Sequence, residues 1–174
     1  MREVEVRRPV APPDVDTLRR VAAAAERAAG HALLGDSVWR DLADPSPETA
    51  IVIAREGEQP LGVLHLGPTE GDASTGVRFS VAILAAAPFE DTLHDLLAAA
   101  LDDQRQRQGG PAELWVFGAD RRSDRIAAGL GFELHREMWQ LRIALPLRDE
   151  PQLPPAVTVR PFEVGRDEDA WLRV

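Results

Sequence analysis

The chain contains no cysteine, lysine, asparagine or tyrosine. Without cysteine there is no disulfide framework and no thiolate metal site. Without tyrosine and lysine, two common acid–base groups are missing from any mechanism. All 20 basic residues are arginine, so an arginine taken alone says little here. Aromatic residues are scarce, at 5%. No apolar run approaches the roughly 20 residues of a membrane span. The stretch Met1 to Val6 lacks the apolar core of a secretory signal. Positive charge is also in deficit, with a net charge of −9. Such a surface repels phosphate backbones and argues against nucleic acid as a partner. A cytoplasmic protein with no nucleic-acid or membrane partner is expected.

What is present is a globular composition: 174 residues, 44% hydrophobic and 28% charged. That is room for one ordinary domain with its own core. The chain also repeats itself. At an offset of 153 residues, Val4, Val6, Arg7, Asp14, Asp16, Arg20 and Val21 fall on Val157, Val159, Arg160, Asp167, Asp169, Arg173 and Val174. Leu18 falls on Trp171. Each copy reads as a Val-x-Val-Arg strand, a turn and an acidic helix start. Repeats of this length mark duplicated domains. The expected organisation is a domain over 1–146, a Pro-rich linker over 147–156, and the truncated start of a second domain over 157–174.

Hydrophobic periodicity sets out the elements. Val4 to Val10 alternates as a strand. Asp14 or Asp16 can cap a helix with Val15, Leu18, Val21, Ala22 and Ala25 on one face. Asp36 to Trp39 opens a second, short helix. Strands are expected at 49–55, 61–66 and 77–84, with a hairpin turn at 56–59 and a loop at 67–76. Leu93, Leu96, Leu97, Ala100 and Leu101 form one apolar stripe, predicting a helix over 92–108. A strand at 113–117, a helix at 123–130 and a long strand at 133–145 complete the order β-α-α-β-β-β-α-β-α-β. This order predicts an α/β (α+β) fold, with a mixed, mostly antiparallel sheet of six or seven strands and helices on both faces.

That order resembles the GNAT acetyltransferase superfamily, and Gly129-Leu-Gly131-Phe132 resembles its closing motif. A sharper likeness lies in Leu114-Trp-Val-Phe-Gly118, Arg136 to Arg142, Pro154 to Arg160 and Gly165 to Val174. Together with Leu61 to Leu66 and Gly35 to Leu42, these segments resemble the mycothiol synthase family, which carries two GNAT domains in tandem. The resemblance implies acetyl transfer from acetyl-coenzyme A to the cysteinyl amine of a cysteinyl-glucosaminyl-inositol. It also implies that catalysis belongs to a C-terminal GNAT domain missing from this chain. The implied partners are that domain and a small-molecule amine acceptor.

In the superfamily, backbone N–H groups of the helix after the fourth strand meet the cofactor pyrophosphate. A Gln/Arg-x-x-Gly-x-Gly/Ala pattern makes room for it. The resemblance places those positions at Pro88, Asp91 and Leu93. It makes Leu84, Ala85, Pro88, Phe89, Asp91, Thr92 and Leu93 the candidate cofactor residues. Phe89 is open between stacking on an adenine and a core or rim aromatic, with the latter favoured. Both glycines are replaced, and Glu90, Asp91 and Asp95 add negative charge. An aspartate in a first helical turn is expected to occupy the N–H donors itself and to repel a phosphate. The site reads as degenerate, with acetyl-coenzyme A binding in doubt.

The superfamily's frequent Tyr acid, four residues before the Gly-Phe, corresponds to Ala127, so no catalytic residue is assigned. Asp120 reads as a helix cap. His31, His65, His94 and His135 make no metal-ligand spacing, and no metal is expected. His65 is open between a base in a cleft and a satisfied core residue. Trp115 and Trp139 are expected on neighbouring strands. The favoured reading is the non-catalytic N-terminal half of a tandem acetyltransferase. The alternatives are a self-sufficient acetyltransferase with an atypical cofactor loop, or a non-enzymatic binding or dimerisation module.

Overall fold

The computed structural model describes residues 2–69, 76–107, 109–146 and 152–173. Part of the 67–76 loop and most of the Leu147 to Pro155 stretch lie outside the described residues. The chain divides into two compact units, Met1–His135 and Arg136–Val174.

In the first unit the order is β1 (Arg2–Arg7), α1 (Pro12–Ala29), α2 (Asp36–Ala43), β2 (Ala50–Glu56), β3 (Gln59–Pro68), β4 (Val77–Ile83), α3 (Phe89–Gln106), β5 (Ala112–Trp115) and α4 (Arg121–Gly129). The sheet runs β1-β2-β3-β4-β5. The first four strands pair antiparallel, and β4 pairs parallel with β5.

The two faces of the sheet bury different residues, as period-2 alternation requires. Val52, Leu64, Phe79 and Val81 pack against Leu93, Leu96 and Leu97 of α3. Ile51, Ile53, Val63 and Ala82 pack against Leu18 and Val21 of α1 and Val38 and Leu42 of α2. Gly62 permits α3 to come close, since a Cβ there would lie 3.0 Å from Thr92 Cγ2 and 3.1 Å from Leu96 Cδ1.

Helix starts differ from the sequence reading. Helix α1 begins at Pro12, because proline is tolerated at a first turn whose N–H groups have no helical acceptor. Asp14 caps it from inside, accepting from Ala11 N at 3.0 Å. Helix α3 begins at Phe89, three residues before Thr92. Asp120 is the N-cap of α4 and accepts from Arg122 N and Ser123 N, a structural role.

The strand expected at 133–145 is absent, and among the described residues the sheet has five strands, not six or seven. Trp139 and Leu141 are 79% and 90% exposed. Alternation shows which side a strand would bury; it does not supply a neighbour to pair with. Trp139 is therefore not on a strand beside Trp115, which ends β5.

Among its described residues the second unit holds one short helix, α5 (Glu168–Trp171). Val157 to Arg160 forms no strand and no ladder among the described residues, where a strand was expected. Arg160 grips Asp167 with two hydrogen bonds of 2.5 and 2.7 Å, and Glu163 N donates to the same carboxylate at 2.8 Å. The Arg160 hydrogen bond is the main reason the Asp167 pKa falls to about 2. The matching pair of the first unit, Arg7 and Asp14, is also in contact, at 3.8 Å.

Candidate functional site

The parallel pairing of β4 with β5 runs from Val77–Ala112 to Ser80–Trp115 and stops there. β4 continues to Ile83. Past Ser80, its β5-side edge therefore has no strand partner among the described residues. Beyond β5, Gly118 turns the chain with φ +67, a conformation suited to glycine. His31 Nε2 of the α1–α2 connection lies 3.1 Å from where a Gly118 Cβ would be. The α1–α2 loop therefore meets the β5–α4 turn.

At the end of β4, Leu84 N donates to Leu61 O and Ala87 N to Leu84 O, a tight turn into Pro88. Thr92 N closes the first turn of α3 on Pro88 O at 3.0 Å. Pro88 is the N-cap and gives no side-chain cap. The N–H groups of Phe89, Glu90 and Asp91 precede the helical ladder. They have no side-chain acceptor among the described residues.

The expectation that Asp91 occupies these donors is not met. Its carboxylate faces Arg2 of β1 at 3.2 Å, and Asp95 one turn on faces the same guanidinium at 2.8 Å. Glu90 lies 3.7 Å from Arg125, and the Arg122 guanidinium stands 5.1 Å over the Phe89 ring.

The candidate residues separate into two groups. Leu84, Ala85, Pro88, Phe89 and Asp91 line the turn, exposed or half-buried. Thr92 and Leu93 are fully buried, so their side chains enter the interior and leave the turn clear. The side chain of Leu93, expected at the second glycine position, therefore does not stand in the turn. Sequence reasoning missed Arg2, Arg122 and Arg125. Arg122 and Arg125 share one face of α4 at i, i+3 spacing, a signal of sorts. Arg2 left none, being 89 residues from Asp91.

His65 is fully buried on the α1–α2 face, with Nε2 3.8 Å from Asp41 Oδ2. Neither ring nitrogen has a hydrogen-bond partner among the described residues. Asp41 in turn pairs with Arg78 at 2.8 Å. Burial first, and the Arg78 charge second, push the His65 pKa down to about 4. The imidazole is therefore neutral at pH 7. His65 is thus a core residue, but not a hydrogen-bonded one. His94 is exposed beside Asp95, at 3.4 Å. Among the described residues no three His, Asp or Glu side chains are grouped to hold a metal. No helix among them is long and apolar enough to cross a membrane.

No family model matches the sequence. Curated relatives do. A mycothiol acetyltransferase of Actinosynnema mirum is 32% identical over 167 residues, covering 94% of this chain and 54% of its own length. One of Kocuria rhizophila is 31% identical over 168 residues, covering 93% and 53%. The chain spans about half the length of the curated relatives it matches. Among solved structures, a GNAT family acetyltransferase of Brucella melitensis in complex with acetyl-CoA superposes with a TM-score of 0.59. It is 22% identical, over 76% of this chain and 84% of its own, and so speaks for the fold. With its five-stranded mixed sheet, helices on both faces and these relatives, the chain has the fold of the GNAT acetyltransferases and is a homologue of the mycothiol acetyltransferases, spanning about half their length.

Proposed function

We propose that this chain is the amino-terminal half of a two-domain mycothiol acetyltransferase, and that it holds acetyl-coenzyme A without turning it over. The observation that carries the reading is the first turn of α3. Its backbone donors have no side-chain cap, and the Asp91 carboxylate is drawn onto Arg2. Uncapped N–H groups at a helix start suit a pyrophosphate. The unpaired edge of β4 beyond Ser80 suits the extended, amide-bearing arm of the same cofactor, which can pair as a strand does.

Acid–base chemistry is weakly provided for. Ala127 stands where the superfamily often has Tyr, and the neutral, buried His65 is no base for an incoming amine. The acetyl transfer to the cysteinyl amine of a cysteinyl-glucosaminyl-inositol is assigned to a second GNAT domain. Two observations favour that partner: the relatives are about twice as long, and the Arg7–Asp14 pair recurs as Arg160–Asp167. The proposed compartment is the cytoplasm.

The test is calorimetry with acetyl-coenzyme A, beside a transfer assay with a cysteinyl amine as acceptor. Micromolar binding without transfer is expected. Measurable transfer by this chain alone would make it a self-sufficient enzyme. Absence of binding would leave a scaffold domain only.

A further inference from the structure

Arg2 is the first residue of the edge strand β1 and sits opposite Glu56 of β2. Its guanidinium reaches across to α3, where it takes Asp95 at 2.8 Å and Asp91 at 3.2 Å. Those carboxylates are four residues apart, so they lie on one face of the helix. The Asp91 side chain is 71% exposed, so only Arg2 among the described residues restrains it. An acidic side chain in a first helical turn is drawn to the free N–H groups beside it. Here that pull is opposed by a cation from another element.

We infer that Arg2 is a positioning residue for the cofactor pyrophosphate. By holding the Asp91 carboxylate outward, it keeps the backbone donors of Phe89, Glu90 and Asp91 open and offsets a charge that repels phosphate. The inference rests on the reading that acetyl-coenzyme A binds at this turn. Arg2 touches no donor and acts only through Asp91. The sequence change that looked like the loss of a phosphate site, glycine to Asp91, is thereby tolerated. On Arg125 the same logic applies more weakly to Glu90, at 3.7 Å.

The experiment is a double-mutant cycle read by acetyl-coenzyme A calorimetry, with thermal melts of each variant. Arg2→Met should weaken binding by about three- to tenfold, the scale of an exposed charge term. Adding Asp91→Asn to Arg2→Met should restore affinity, because the carboxylate in the first turn is then gone and Asp95, which Arg2 also held, lies one turn farther along α3. A purely structural role for Arg2 gives no such recovery. Asp91→Asn alone should bind as tightly as the native chain or more so. If the native chain binds and Arg2→Met binds equally, or the double variant stays weak, the role of Arg2 is overturned and the acetyl-coenzyme A reading stands. If the native chain does not bind, both fall. Should Arg2→Met fail to fold, Asp91→Asn decides, and weaker binding by that variant overturns the inference.

Discussion

His65 carries a consequence for stability. In the folded chain its pKa is about 4, against an ordinary value of 6.5, because burial and then Arg78 disfavour the charged ring. Between those values the unfolded chain takes up a proton that the folded chain refuses. The stability that neutral His65 allows is therefore complete above pH 6.5 and falls away as the pH drops toward 4. The gap corresponds to at most about 3 kcal/mol. Thermal melts between pH 7.5 and 4.5 should show this loss, and His65→Leu should flatten that part of the profile. An unchanged profile in His65→Leu would assign the acid sensitivity to other groups. Asp41 and Arg78 would remain to be counted there, since both face the ring.

Helix α3 is the element on which both core and site depend. Its inner stripe, Leu93, Leu96 and Leu97, is fully buried on the sheet, while its first turn is open to solvent. Leu97→Asp would bury an unpaired carboxylate among hydrocarbons and should cost about 4 kcal/mol or more. Circular dichroism of that variant should show an unfolded or aggregated chain; a folded, monodisperse product would contradict the packing. This stripe was legible in the sequence because helical spacing is local. So were β2, β3 and β4, whose runs of buried Val, Ile and Leu lie between turn residues. What was not legible depended on neighbours distant in sequence. No spacing rule connects Arg2 to Asp91, and so the first turn read as self-capped. Residues 133–145 alternate as a strand should, yet alternation is silent about a pairing partner. His65 read as either base or satisfied core, and its lack of hydrogen bonds became visible only once β3 was placed against α2.

At the scale of the whole molecule, the chain is one GNAT fold followed by a small second unit with exposed Val159, Val164, Trp171 and Leu172. A four-residue helix and a segment without regular secondary structure are marginal without further packing. Amides from Val157 to Phe162 should therefore exchange rapidly in a dilute monomer, whereas slow exchange there would show the unit to be stable alone. In the first unit, the proposed role rests on the first turn of α3, whose uncapped donors are proposed to hold acetyl-coenzyme A. Hydrogen exchange of the chain with and without saturating acetyl-coenzyme A tests it most directly. The account predicts slowed exchange concentrated at Val81 to Leu84 and at Phe89, Glu90 and Asp91. Unchanged exchange at those amides, or protection appearing elsewhere instead, would contradict it.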